Sequence, residues 1–258
     1  MLKKYNILLI AMYLSILTGC ASTSRLVIEP AFDSPTYKII VPKKSSESLN
    51  INVAIQNLDI QVSGSASQYG MPEPGKAFDT QVDFLKSLMM SIESVVVSKG
   101  FRVVEFVNSF ESLSEDIKQN FDYLIIPKIN LNSNESATIN SDIPLDLSVE
   151  RSKTAVIKCE GSVTLKGEMI FTILNPKTRD IIYTAKQNIQ ETSKFNVALS
   201  KYVGNNTSEA IYKELLDKCI EGVNGARGKT LEKTYYSYVK AFQKNFPEGR
   251  KAKKLFLK

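Results

Sequence analysis

The chain contains no histidine and no tryptophan. Without imidazole there is no Ser-His-Asp or Cys-His nucleophile system and no His-ligated metal site. Catalysis by carboxylates alone is left open. Gly-rich phosphate loops of the Walker or dinucleotide type are missing as well. Asp116, Asp122, Asp142 and Asp146 fall into no acid/base motif. No cofactor and no enzymatic activity are expected on these grounds. One-sided charge is also lacking. With 33 basic and 27 acidic side chains the net charge is +6, a surplus too small to mark a nucleic-acid binder. It remains compatible with anionic lipid, lipopolysaccharide or acidic glycans.

Long apolar runs are scarce too. The run at 7–17, broken by Ser15, is too short to span a bilayer but suits the apolar core of a secretion signal. Lys3 and Lys4 precede it, and Leu17-Thr18-Gly19-Cys20 closes it. A cysteine at the first mature position has a specific use: its thiol takes a diacylglyceryl group, and the freed amine takes a further acyl chain. The ending resembles the lipobox of bacterial lipoproteins, with Leu17, Gly19 and Cys20 matching. An uncleaved helix or an ordinary secretion signal is the alternative. Each buried methylene is worth about 0.8 kcal/mol, so two or three chains anchor durably where one does not. Ala21 and Ser22 follow in place of the Asp that marks inner-membrane retention, which points to the outer membrane. Loss of residues 1–19 takes away Lys3 and Lys4, and +6 becomes +4.

Beyond Cys20, proline-containing residues 20–48 read as a tether, with one short strand at 37–41. Alternation of Ile51, Val53 and Ile55 marks a half-buried strand within 49–62, and a Ser/Gly/Pro loop follows. Phe78, Val82, Leu85, Met89, Ile92 and Val96 form one stripe of a helix over 78–99, with Gly100 as its C-terminal cap. A strand at 101–107 and a short polar helix at 111–120 come next. Pro127 predicts an edge or a bulge in "FDYLIIPKINLN", and the polar stretch 132–153 reads as a long loop. Val163, Leu165, Met169, Phe171 and Ile173 share one face of a strand. The turn "LNPKTRDII" returns it as a hairpin through 181–189. A helix burying Ile211, Leu215 and Cys219 ends before Gly222, Gly225 and Gly228. A second helix over 229–245 carries Leu231, Tyr235, Tyr238 and Phe242 and stops at Pro247. The whole is α+β: a mainly antiparallel sheet with helices on one face, forming a single domain over 49–246, followed by a basic tail at 247–258. Cys159 and Cys219 either form a disulfide or remain as two small buried thiols.

Three features carry possible binding chemistry. "VERSKTAVIKCE" sets Arg151, Lys153 and Lys158 around a β-rich stretch, either as grips for an acidic sugar or as a solvated strand edge. The basic tail either meets anionic headgroups or frays in solvent. Tyr235, Tyr236 and Tyr238 either stack on sugars or pack in the core.

The order of pieces, a lipobox, then "VVVSKGFRVVEF", "FDYLIIPKINLN" and "GEMIFTILNPKTRDIIYTAKQNIQE", then two helices, resembles the Helicobacter neuraminyllactose-binding haemagglutinin (adhesin A-like) lipoproteins. The resemblance implies a palmitate-type lipid anchor at Cys20 and a place in the outer membrane or flagellar sheath. It also implies adhesion to sialylated host glycans. The family's sugar-binding motif, Lys-Arg-Thr-Ile-Gln-Lys, has "KTAVIK" as its nearest counterpart here. That makes Lys153, Thr154 and Lys158 candidates, with Arg151 beside them; the inner Arg and Gln of the motif are missing. The expected partners are a membrane through the acyl chains and either a sialylated glycan or an envelope protein. The rival assignment is an inward-facing scaffold of the flagellum or cell wall. A tether over 23–50 reaches about 90 Å when extended, which suits either orientation.

Cys20→Ser is expected to move the chain from the membrane to the soluble fraction. Mass spectrometry of the native N-terminal peptide should show acyl chains on Cys20; unchanged fractionation of the variant would contradict the anchor.

Overall fold

The computed structural model describes residues 35–43, 48–64, 82–142, 154–202 and 208–256. Its centre is an antiparallel meander of three long strands, β4 (Tyr123–Asp142), β5 (Thr154–Leu174) and β6 (Ile181–Tyr202). The short strands β1 (Asn52–Gln56) and β3 (Arg102–Val107) extend it in parallel, giving the order β3-β1-β4-β5-β6; β2 (Asp59–Gly64) also runs parallel to β4. The α+β expectation holds, with a mixed sheet in which the antiparallel part dominates.

Pro127 lies inside the central strand, not at an edge, and pairs with Phe171 in unbroken register. The physical reason is on the other flank. β1 pairs with residues 123–125 of β4 and β2 with 128–133, so 126 and 127 face the handover between two short strands. A residue without an amide hydrogen costs the ladder little there. The expected loop at 132–153 is likewise corrected: β4 continues through Asp142. Its inward positions Ser133, Glu135 and Ala137 are small or ion-paired, so the apolar half of the alternation is missing from the sequence. Residues 37–41 form no strand, although Tyr37 is buried against Phe84 and Tyr235.

Helix α1 (Val82–Ser98) buries Phe84, Leu88, Ile92, Val95 and Val96 against the inner face, and Ile92 and Val96 belong to the expected stripe. Its first half is turned by one residue, with Phe84 buried and Leu85 and Met89 only partly so, while Phe78 lies outside the described residues. Gly100 closes it at φ 95, with its amide donating to the Val97 carbonyl at 3.0 Å. The single-turn helix α2 (Glu115–Lys118) sits on the opposite side: Ile117 packs with Phe110, Phe121, Leu124 and Leu174 over one end of the outer face. Covering of the sheet is therefore not confined to one side.

The two C-terminal helices expected around the glycines are one, α3 (Ser208–Asn245). A helix of 38 residues is about 57 Å long, close to the length of strands of about 20 residues. Glycines in a helix cost up to about 1 kcal/mol each relative to Ala. Tertiary contacts on both sides of Gly222 outweigh that cost. On one side Cys159 and Cys219 form a disulfide joining β5 to α3, with Cα atoms 5.8 Å apart. A cross-link over 60 residues is worth about 4 kcal/mol on the chain-entropy account. On the other side Arg227 pairs with Glu135 of β4. Gly222 itself is where the helix touches the sheet: a Cβ there would lie 2.6 Å from Val197 Cγ2.

Residues expected as a basic tail form α4 (Gly249–Phe256), which buries Ala252 and stacks Phe256 edge-on against Phe101 and Tyr123. Tyrosine hydroxyls finish both helices. Tyr183 donates to the carbonyl of Asn245 at 2.9 Å and Tyr123 to that of Phe256 at 3.0 Å.

The glycines of α3 separate two effects. A Cβ added at Gly225 would meet nothing within 4 Å, so Gly225→Ala should raise Tm through helix propensity, by about 0.5–1 kcal/mol. Gly222→Ala should lower it, because the methyl group meets Val197 and overpacking costs about 1–3 kcal/mol. Thermal melts of the two oxidised variants check both signs.

Candidate functional site

Alternation divides β4, β5 and β6 into two unlike faces. Inward lie Ile129, Leu131, Val163, Leu165, Met169, Phe171, Ala185 and Ile189, all packed beneath α1 and α3. Outward, β5 presents Lys158, Glu160, Ser162, Thr164, Lys166 and Glu168 in one line. β4 flanks that line with Asn, Ser and Thr from Asn130 to Asn140, and β6 with Asn188, Gln190, Thr192, Lys194 and Asn196. Hydroxyl pairs bridge the strands: Ser136 with Ser162 at 3.1 Å and Thr164 with Thr192 at 2.9 Å. Cover from the α2 segment stops near Leu124 and Ile126, and the polar face starts there, at Lys128 and Asn130.

Two hollows open on this face. The first, about 540 Å³, is walled by Ser63, Asn130, Asn132, Lys166, Glu168 and Gln190. The second, about 530 Å³, is walled by Ser136, Thr138, Glu160, Ser162, Lys194 and Asn196. Each lies over a glycine of β5. A Cβ at Gly167 would stand 1.9 Å from the Asn130 carbonyl oxygen, and one at Gly161 the same 1.9 Å from that of Ser136. Only glycine lets β5 approach β4 so closely. Asn130 Oδ1 is buried at the first hollow and has no hydrogen-bond partner among the described residues.

Of the residues picked out from the sequence, Cys20, Arg151 and Lys153 lie outside the described residues. Thr154 and Lys158 are both exposed on the outer face, while Ala155 and Ile157 between them are buried on the inner one. "KTAVIK" is thus a strand that shows alternate side chains to opposite sides. Lys158 stands in a row with Asn140 and Ala198, directly beside the Thr138–Glu160–Asn196 row of the second hollow. The hollows themselves escaped sequence reading; the signal for them was a pair of glycines inside an otherwise alternating strand.

Polar and charged side chains buried in the core serve structure. Arg227 and Glu135 are 0% and 6% exposed and form a two-pronged pair at 2.7 and 2.8 Å, with Asn224 accepting from a third guanidinium hydrogen at 3.1 Å. Breaking such a pair from one side leaves a buried charge, a loss of about 3–5 kcal/mol. Ile40 N–H donates to Ser91 Oγ (3.1 Å), Ser91 lies 2.6 Å from the Tyr235 hydroxyl, and Tyr235 donates to the Lys38 carbonyl (3.0 Å). This relay clamps 35–43 to α1 and α3. Burial pushes the Tyr235 and Tyr123 phenols above their ordinary range, the Ser91 contact partly offsetting it in Tyr235. Tyr238 is fully enclosed, and burial raises it further. The tyrosine stripe of α3 is core: Tyr235 and Tyr238 are buried and Tyr236 is partly so. Among the described residues there is no cluster of three metal-ligating side chains, and no helix long and apolar enough to cross a membrane.

No protein-family model and no curated protein matches the chain. Among solved structures it is similar to a neuraminyllactose-binding haemagglutinin homologue from Helicobacter pylori, at 16% identity and TM-score 0.44, over 81% of this chain and 99% of that one. It is also similar to lipoprotein GNA1162 from Neisseria meningitidis, at 8% identity and TM-score 0.32, over 68% and 99% of the two chains. A third is a minor lipoprotein from Acinetobacter baumannii, at 7% identity and TM-score 0.26, over 77% and 95%. At such distances no function passes to this chain on likeness alone.

The Tyr238 hydroxyl is buried without a hydrogen-bond partner among the described residues, so Tyr238→Phe should hold or raise Tm at neutral pH. Folded Tyr238 keeps its proton while the unfolded chain's tyrosines ionise near about pH 10, so stability falls as pH rises beyond that point. Melts between about pH 8 and about pH 10.5 should show a smaller alkaline loss for the Phe variant than for the parent.

Proposed function

We propose that the protein is a lipid-anchored envelope protein of the haemagglutinin-like adhesin kind, held at the outer membrane through Cys20, which binds sialylated glycans on the outer face of β4–β5–β6. The observation that carries this is the placement of Lys158: exposed, on an uncovered polar face, in a row that adds no acid to it. Thr154 lies on the same face, two rows further along β5. A lysine ammonium meets a sugar carboxylate through a charge-assisted hydrogen bond, and the surrounding amides and hydroxyls suit sugar hydroxyls. The Cys159–Cys219 disulfide supports a compartment outside the reducing cytosol, in keeping with the secretion signal. Arg151 and Lys153 precede Thr154 in the chain and complete the candidate set.

A second reading has its own support. Leu58, Leu85, Met89, Met90 and Phe106 line an apolar groove of about 410 Å³ between α1 and the edge strand β3, and Met90 and Phe106 remain 43% and 42% exposed. A scaffold facing inward would use such a groove to hold another envelope protein.

A glycan array at low salt should show sialylated glycans bound, with the signal weakening as salt rises. Lys158→Ala should lower affinity roughly two- to fivefold, as for an exposed charge contact. Protease treatment of intact cells should cut the chain. Absence of sialoglycan binding together with protection from protease would favour the scaffold.

A further inference from the structure

We infer that the two hollows are subsites for neutral sugars, and that one extended oligosaccharide lies along β5 with its acidic residue at Lys158 and its neutral residues in the hollows. The inference rests on the glycan-binding reading above and adds to it where the rest of the glycan goes.

Spacing is the first argument. Lys158, the hollow at Gly161 and the hollow at Gly167 follow one another along a single strand, all on the outer face. From Lys158 to Glu168 is ten residues of strand, about 33 Å, and the two glycines are about 20 Å apart. A single sugar ring cannot bridge such distances; a chain of them can.

Charge is the second. Each hollow is walled by one lysine and one glutamate, Lys194 with Glu160 and Lys166 with Glu168. Glu168 is further matched by Lys186 at 2.6 Å. Charges of both signs at each hollow leave the track without a strong field of one sign, which suits the uncharged sugars of a glycan. At the Lys158 end, Glu160 stands two residues along the same face.

The third argument is hydrogen-bonding capacity. Asn, Gln, Ser and Thr side chains both donate and accept, the mixture that vicinal sugar hydroxyls and acetamido groups require. Asn130 adds an unmet need: its buried amide oxygen is an acceptor without a partner among the described residues. Rotation of that amide toward the hollow presents the acceptor to a sugar hydroxyl and removes the cost of leaving it bare. Gly161 and Gly167 lie among the lining of the two hollows, and at each β5 runs too close to β4 for a Cβ.

The test is isothermal titration of the full lipidated chain in detergent micelles with three probes: sialic acid, 3′-sialyllactose and a sialylated octasaccharide whose other seven sugars are neutral, long enough to reach the far hollow. Affinity should rise with each lengthening. Thr138→Ala with Asn196→Ala, and separately Asn132→Ala with Gln190→Ala, should each weaken the octasaccharide roughly three- to tenfold and leave sialic acid unaffected. Circular dichroism melts confirm that the exposed substitutions keep the fold. Equal affinity for all three probes, or hollow variants that keep the gain from chain length, overturns the neutral track while leaving Lys158 in its role. No binding of any probe at low salt overturns the glycan reading itself, and the track with it.

Discussion

Everything on the outer face depends on how α3 is seated on the inner one. Three strands of about 20 residues bury their apolar side only if something equally long lies across them. The backbone of α3 comes into contact with β6 at Gly222, over Val197, where no other residue fits without displacing its neighbour. The disulfide from Cys219 and the ion pair from Arg227 fasten the helix three residues before that point and five after it. Both are directional contacts, and together they set register where hydrophobic packing alone allows sliding. The middle of the interface is polar for the same reason: Glu135, Ser193, Thr230 and Thr234 lie there, with Thr230 donating to the Val163 carbonyl.

With the inner face fully occupied, the outer one is left to water. Its apolar beginning at Leu124 is sealed by Phe110, Phe121 and Ile117, and beyond that every outward side chain of β4 from Lys128 to Asn140 is polar. A bare sheet face of this kind risks association unless charges and a twist discourage it. Lys158, Lys166 and Lys194 on β5 and β6 supply such charges.

The two ends of the domain are held differently. At the N-terminal side, a chain of three hydrogen bonds through Ser91 and Tyr235 ties residues 38 and 40 to α1 and α3. At the C-terminal side, Tyr183 and Tyr123 donate to the last carbonyls of α3 and α4, and Lys99 pairs with Glu248 in the link between those helices. Residues 38 and 40 are fixed to α1 and α3 together.

The α+β class, the helix α1 with its Gly100 cap and the hairpin through Asn175 could be read from the chain because each follows from a local period or a local turn. The lipobox reading rests on a linear motif alone and lies outside the described residues. Position 127 could not, since whether a proline is tolerated depends on where β1 hands over to β2. Nor could 132–142: the inward residue Glu135 looks like a loop residue until Arg227, 92 residues away, is placed against it. The three glycines of α3 read as a break because helix propensity is local, whereas the contacts that override it come from β5, β6 and β4. Lys158 was named by the sequence, but the hollows beside it depend on a backbone approach between two strands. Periods and turns determined the elements; only packing between distant segments decided which face of the sheet is covered and which stays open.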